Sequence, residues 1–154
     1  MPVEIERKFL VTGDGWRGQG EGVTLQQGYL SLDPERSVRI RVAGERAWLT
    51  IKGASQGLAR AEYEYEIPAG DAREMLASLC PNSPIEKTRY RVDYRGLTWE
   101  VDEFFGDNAG LIMAEVELQS ADQAVDLPDW VGEDVSADPR YYNASLIEHP
   151  FSSW

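Results

Sequence analysis

Val3-Glu4-Ile5-Glu6-Arg7-Lys8-Phe9 opens the chain with a strict two-residue period. Glu4, Glu6 and Lys8 share one face of a strand, and Val3, Ile5 and Phe9 share the other. The pattern recurs along the chain. Arg39 and Arg41 alternate with Val38, Ile40 and Val42. Lys52 falls on the face of Trp48 and Thr50. Glu62, Glu64 and Glu66 alternate with Ala61, Tyr63, Tyr65 and Ile67. Lys87, Arg89 and Arg91 alternate with Thr88, Tyr90 and Val92. Glu100 and Asp102 are set against an apolar face of Trp99, Val101 and Phe104. Glu115 and Glu117 alternate with Ala114, Val116 and Leu118. The spacing predicts strands at about 3–12, 24–32, 36–43, 46–53, 60–68, 84–95, 97–105 and 110–119.

On one strand, a charged face is ordinary solvated surface. Like charges at i and i+2 on one strand gain nothing from solvation alone, and here acidic strands differ from basic ones. Opposite signs can then meet across the sheet. Asp33-Pro34-Glu35, Ala43-Gly44-Glu45, Arg95-Gly96 and Asp107-Asn108 are turn signals, and their brevity implies antiparallel hairpins. One arrangement meets all these demands: a mainly β, α+β fold in which eight antiparallel strands close into a barrel, with charges inside and apolar residues outside under a few helices. An open cupped sheet would show the same period.

The remaining segments supply cover. Residues 71–79 read as a helix stopped by Pro81. Gly13–Gly22 reads as a mobile glycine-rich loop, and it lacks the Gly-Lys-Ser/Thr ending of a phosphate-binding loop. Asp126–Asp134 is expected to hold a short helix around Trp130. Asp138-Pro139 starts a C-terminal helix running through Tyr142 and Leu146. That helix either plugs a barrel mouth or packs on the wall. Trp16, Trp99 and Trp130 read as core, Cys80 as a packing residue and His149 as surface.

Length and composition narrow the function. A chain of 154 residues with 42% apolar content fits one domain spanning 1–154. The net charge of −12 argues against a nucleic-acid partner. No apolar run reaches membrane-span length, and the charged N-terminal stretch does not read as a secretory signal. The lone Cys80 suits a reducing cytoplasm. The lone His149 points any metal toward oxygen ligands, hence Mg²⁺, Mn²⁺ or Ca²⁺. Inward arginines can clamp phosphate oxygens, and lysines can add point charges. Carboxylates in the same lumen can hold divalent ions that bridge to phosphate, so the mixture suggests a metal–polyphosphate site, against a ligand-free network of ion pairs.

Glu4-Ile5-Glu6-Arg7-Lys8 resembles the ExExK signature of the CYTH superfamily, the triphosphate tunnel metalloenzymes. Ser37-Val38-Arg39-Ile40-Arg41, Thr50-Ile51-Lys52-Gly53, Glu62-Tyr63-Glu64, Lys87-Thr88-Arg89-Tyr90, Glu100-Val101-Asp102-Glu103-Phe104 and Glu115-Val116-Glu117-Leu118 follow in the family's order. Asp138 to Leu146 is similar to the C-terminal segment of its small bacterial members. The resemblance implies a closed tunnel that hydrolyses a triphosphate with Mg²⁺ or Mn²⁺. It implies that Glu4, Glu6 and Glu117 hold the catalytic ion with help from Glu115. Glu62, Glu64 and Asp102 would hold a second ion, orient water or fix basic side chains. Lys8, Arg39, Arg41, Lys52, Lys87 and Arg89 would grip the substrate. Tyr29 with Lys52 offers a proton-transfer pair, against a plain strand role for Tyr29. Arg91 and Glu100 match less securely. Inorganic tripolyphosphate is the expected substrate among small polyphosphates and nucleoside triphosphates. A class IV adenylate cyclase, a thiamine triphosphatase and a non-catalytic polyphosphate- or nucleotide-binding module are the rivals.

Overall fold

The computed structural model describes residues 2–154. Nine strands and two helices follow in chain order: β1 (Val3–Val11), β2 (Gly22–Ser31), β3 (Arg36–Ala43), β4 (Arg46–Gly53), β5 (Ala59–Ile67), α1 (Ala69–Ser78), β6 (Ile85–Tyr94), β7 (Leu97–Phe104), β8 (Ile112–Glu117), β9 (Val131–Asp134) and α2 (Asn143–Glu148). The sheet order is β5-β4-β3-β2-β6-β7-β8-β1-β9, and β5 also pairs with β1. That extra pairing closes eight antiparallel strands into the expected barrel. β1 makes closure possible by serving two neighbours. Glu6 to Leu10 pair with β8, and Val3 to Ile5 pair with β5.

β9 is a correction. No helix forms around Trp130. Once β5 leaves β1 after Ile5, the backbone from Phe9 to Val11 has an open edge. β9 covers it, with Phe9 opposite Asp134 and Val11 opposite Val131. Unpaired strand backbone is costly to bury, so this short segment is recruited as strand. Trp130 packs edge-on against Trp99, with ring centroids 5.8 Å apart. The glycine-rich loop is also less free than its composition suggests. Trp16 is fully buried in it, lies 5.1 Å from the Tyr90 ring and anchors the segment to the barrel wall.

The apolar core lies outside the barrel, in two parts. Phe9, Val92, Trp99, Val101, Ala114 and Val116 are sealed by Trp16 and Trp130 from the loops. Ile40, Val42 and Ala47 are sealed by Ala72 and Leu76 of α1. Contact there is close: a Cβ on Gly28 would lie 2.9 Å from Leu76 Cδ2. The β6–β7 hairpin turns through Arg95 and Gly96, both at positive φ (46° and 84°). That conformation matches the right-handed twist of the strands it joins.

A third apolar cluster lies at inward positions. Ile85, Phe104 and Met113, with Leu10 beside them, pack on Tyr141 and Leu146 of the C-terminal segment. Phe104 pairs with Lys87 across the sheet and so belongs to the inner face, not the outer one expected for it. The C-terminal segment therefore fills part of the barrel interior instead of lying on its wall. It is not one continuous helix. Pro139–Tyr141 forms a single 3-10 turn capped by Asp138, Tyr142 is extended, and α2 follows.

Candidate active site in the barrel lumen

The antiparallel register decides which charges meet. Across β6 and β7, Arg89 faces Asp102 and Arg91 faces Glu100. Arg89 donates Nε to Asp102 Oδ1 at 2.8 Å and Nη2 to Oδ2 at 2.9 Å. Lys87 Nζ lies 2.7 Å from the same Oδ2. Burial alone would raise the Asp102 carboxyl, but the Arg89 and Lys87 charges and hydrogen bonds hold it well below its ordinary value. Burial pulls the Lys87 ammonium below its ordinary value despite Asp102. Asp102 thus has both oxygens occupied by cations.

Glu115 faces Lys8 from β8, with Lys8 Nζ at 3.5 Å and Arg89 Nη2 at 4.0 Å. Burial opposes its ionisation, yet the Lys8 and Arg89 charges lower it to about 2. Lys52 Nζ donates to Glu4 Oε1 at 2.8 Å and lies 3.3 Å from Glu62 Oε2. Burial works against the Lys52 charge, and Glu4 and Glu6 more than restore it, so its pKa is raised. Glu6 lacks such a partner. Burial, then the Glu115 and Glu4 charges, push its carboxyl up to about 8. Burial and the adjacent Glu4 push Glu62 up to about 7. Glu6 also sits directly opposite Glu117, and Glu100 opposite Glu115, both like-charge pairings.

The arginines on β3 are held loosely by comparison. Arg39 Nη2 reaches Thr50 Oγ1 at 3.3 Å and lies 3.6 Å from Glu64 Oε2. Its Nε is buried without a hydrogen-bond partner. Arg41 donates Nε to Gln27 Oε1 at 2.9 Å. Burial and the neighbouring Arg39 and Arg89 charges lower Arg41 to about 9.

These side chains surround a cavity of about 530 Å³. All six expected cations line it: Lys8, Arg39, Arg41, Lys52, Lys87 and Arg89. Tyr29, Glu4, Glu6 and Glu115 do too. Glu62, Glu117 and Asp102 stand behind or beside it, and Glu64 faces a second volume of about 480 Å³ that shares Arg41 and Arg89. Arg91 is on that second volume and its side chain is 74% exposed. Among the described residues no hydrogen bond joins Tyr29 to Lys52. Seven basic and five acidic side chains line the larger cavity, an excess of positive charge in a chain of net charge −12. The chain's field repels anions overall, while this cavity attracts them.

The acidic set suits a divalent ion by type and electrostatics. Glu4, Glu6 and Glu115 are hard oxygen donors, and the raised Glu6 and the opposed Glu6–Glu117 pair mark negative charge that the protein leaves uncompensated. As the side chains stand, no three of the described acidic residues already converge as a ligand cluster. Two polar residues escaped the sequence reading, Gln27 and Asn143. Gln27 shares the inward parity of Tyr29 on β2, which was the available signal.

A charged, closed lumen of this construction defines a class of protein, and comparison with known sequences agrees. The CYTH domain family matches residues 2–149, and the chain belongs to that family. It is 47% identical over 154 residues to an inorganic triphosphatase of Acetivibrio thermocellus, covering 100% of this chain and 99% of that protein. It is 40% identical over 147 residues to an inorganic triphosphatase of Nitrosomonas europaea, covering 93% of this chain and 95% of that protein. A crystal structure of an inorganic triphosphatase superposes with a TM-score of 0.68 at 37% identity, over 96% of this chain and 95% of the other. A Hippeastrum protein described as a putative adenylyl cyclase with dominant triphosphatase activity shares the fold at a TM-score of 0.60 and 15% identity, over 78% of this chain and 80% of that one.

Proposed function

We propose that this chain is a divalent-metal-dependent triphosphatase whose substrate is inorganic tripolyphosphate. The observation that carries the reading is the cationic excess of the lumen, with the buried Arg39 Nε left without an acceptor. An isolated buried donor costs about 1–3 kcal/mol, and a phosphate oxygen would satisfy it. The names of the two bacterial relatives support the same activity.

In this reading Lys8, Arg39, Arg41, Lys52, Lys87 and Arg89 grip the phosphate oxygens and hold the terminal phosphorus in line for attack. Asp102 is a positioning residue for Lys87 and Arg89, since both its oxygens are engaged by them. Glu4, Glu6 and Glu117, with Glu115 beside them, would hold Mg²⁺ or Mn²⁺, which supplies Lewis-acid stabilisation of charge on the phosphate oxygens when bound. A carboxylate of that group orients a water and takes its proton. The new P–O bond forms as the bridging P–O bond breaks, releasing phosphate and diphosphate. The departing diphosphate keeps its charge against the arginines and lysines. Lys52 serves the grip through its ion pair with Glu4, and Tyr29 lines the wall. Glu62 and Glu64 steady Lys52 and Arg39 from outside the cavity.

Among the described residues no helix is long and apolar enough to cross a membrane. The lone Cys80 supports a reducing, cytoplasmic setting. The test is direct. Pure protein is given Mg²⁺ or Mn²⁺ with tripolyphosphate, ATP or thiamine triphosphate, and phosphate and cyclic AMP are measured. Phosphate from tripolyphosphate, abolished by EDTA, is expected. Cyclic AMP from ATP, or faster turnover of thiamine triphosphate, would displace the proposed substrate. Tight binding of every ligand without turnover would replace the enzyme with a binding module.

A further inference from the structure

We propose that Gln27 and Asn143 are positioning residues: an amide relay that locks Arg41 and Lys87 into one unit and makes the C-terminal segment part of the anion grip. This inference rests on the triphosphate-binding reading above. Arg41 Nε donates to Gln27 Oε1 at 2.9 Å. Gln27 Nε2 donates to Asn143 Oδ1 at 2.7 Å. Lys87 Nζ donates to that same Asn143 oxygen at 2.8 Å. Lys87 then reaches Asp102, and Asp102 holds Arg89. One unbroken chain of charge-assisted and amide bonds therefore joins three cations drawn from β3 and β6.

The orientation of each amide follows from its partners. Because the Gln27 oxygen accepts from Arg41, its nitrogen is turned to Asn143, and only the Asn143 oxygen can then receive both donors. Gln27 is fully buried and lines neither cavity, so it acts on the site only through its neighbours. The bonds also leave the useful donors free. Arg41 is held by Nε alone, and both terminal nitrogens of its fork stay available for bidentate contact with phosphate. Lys87 spends two of its three N–H groups on Asp102 and Asn143 and keeps one. Two repelling cations are thus fixed at a defined separation by neutral amides, which add no charge to compete with the substrate. Asn143 is the first residue of α2, so the segment whose Leu146 packs inside the barrel also carries the relay's central oxygen.

The experiment measures tripolyphosphate hydrolysis at saturating Mg²⁺ for Gln27→Met, Asn143→Leu, Asn143→Asp and the Gln27→Met/Asn143→Leu pair. Both apolar variants are expected to lower kcat/KM by roughly tenfold or more, chiefly through KM, as for loss of a hydrogen bond to a charged group. The double variant should lose little beyond the worse single one, since both break the same chain. Asn143→Asp keeps the acceptor but adds a charge that competes with the substrate, so it should recover only part of the KM lost in Asn143→Leu. Folded single variants with unchanged KM, fully additive losses, or equal loss in Asn143→Asp and Asn143→Leu would each overturn the relay. If Gln27→Met does not fold, the Asn143 pair decides alone. A crystal structure of Asn143→Leu gives a readout free of activity: Arg41 and Gln27 should be redirected, and unmoved side chains would refute the proposal. A wild-type protein that leaves tripolyphosphate intact defeats the functional reading instead, and that structure still judges the relay.

Discussion

Two walls of the same lumen solve the problem of buried charge in opposite ways. On the β6–β7 wall, Lys87, Arg89 and Asp102 compensate one another within 2.7–2.9 Å. On the β1–β8 wall, Glu6 faces Glu117, and Glu4 and Glu115 stand close enough that their charges help push Glu6 up to about 8. The first wall is complete without any ligand. The second is complete only when a proton or a cation is added. A protein selected for stability alone would gain by pairing both. In the proposed reading, the unpaired carboxylates supply the metal site, and the paired wall keeps the grip rigid.

The largest effect should come from breaking the completed wall. Asp102→Ala strands two buried cations, and loss of one partner of a buried pair costs roughly 3–5 kcal/mol. Chemical denaturation should show that loss, and tripolyphosphate hydrolysis should fall with it. Unchanged stability would mean that Lys87 and Arg89 find other partners and the wall is not preassembled. Breaking the uncompensated wall should look different. Glu6→Gln removes a carboxylate that the fold does not pair, so the protein should stay folded while metal-dependent hydrolysis drops on the order of 10²-fold or more. Equal activity in Glu6→Gln would remove Glu6 from the chemistry.

That contrast was partly legible in the sequence. Period two with like charges at i and i+2 exposed the lumen because a strand has only two faces, and Glu4, Glu6, Lys8, Arg39 and Arg89 could lie on only one of them. The floor was legible too, in principle: inward parity turns apolar at Leu10, Ile85, Phe104 and Met113, where the C-terminal segment packs. β9 was not. Val131-Gly132-Glu133-Asp134 carries no strand period, and its conformation is imposed by the open edge of β1. The relay was hidden for a different reason. Gln27 and Asn143 are 116 positions apart and neutral, so the inward parity of Gln27 alone could not pair it with Asn143. The split between the walls was likewise unreadable, because it depends on register: a shift of one residue would have set Glu115 against other neighbours.

The compensated and the uncompensated carboxylates should also part company with pH. Glu6 titrates near 8 and Glu62 near 7 when folded, against an ordinary value of 4.5 for both. Between about pH 4.5 and 8 the folded chain holds protons on them that the unfolded chain has released, so their contribution to stability falls as pH rises through that window. Glu115, lowered to about 2, and Asp102 work the other way. Their contribution is present above the ordinary carboxylate range and fades as pH falls toward their folded values. Without metal, Tm is expected to decline from about pH 5 to 7; above that, Lys87, lowered by burial to about 7, sheds a proton that the unfolded chain keeps and offsets the loss from Glu6. The slope should flatten in Glu6→Gln and in wild type with saturating Mg²⁺ or Mn²⁺, because each replaces the proton. Identical slopes in wild type and Glu6→Gln would show that the net charge of −12, and not this site, sets the decline.

The smallest effect locates the edge of the site. Arg91 has the inward parity of Lys87 and Arg89, and pattern alone would rank it with them. Its side chain is 74% exposed, 3.5 Å from Glu100, on the second volume and away from the larger cavity. Solvent screens such a charge, and exposed pairs contribute about 0–1 kcal/mol. Arg91→Ala should therefore leave KM for tripolyphosphate within about threefold, where Arg89→Ala raises it far more. A loss in Arg91→Ala comparable to that in Arg89→Ala would extend the grip through Arg41 and Arg89 into the second volume. The substrate would then span both volumes, and the line between the completed wall and its rim would have to move outward by one residue.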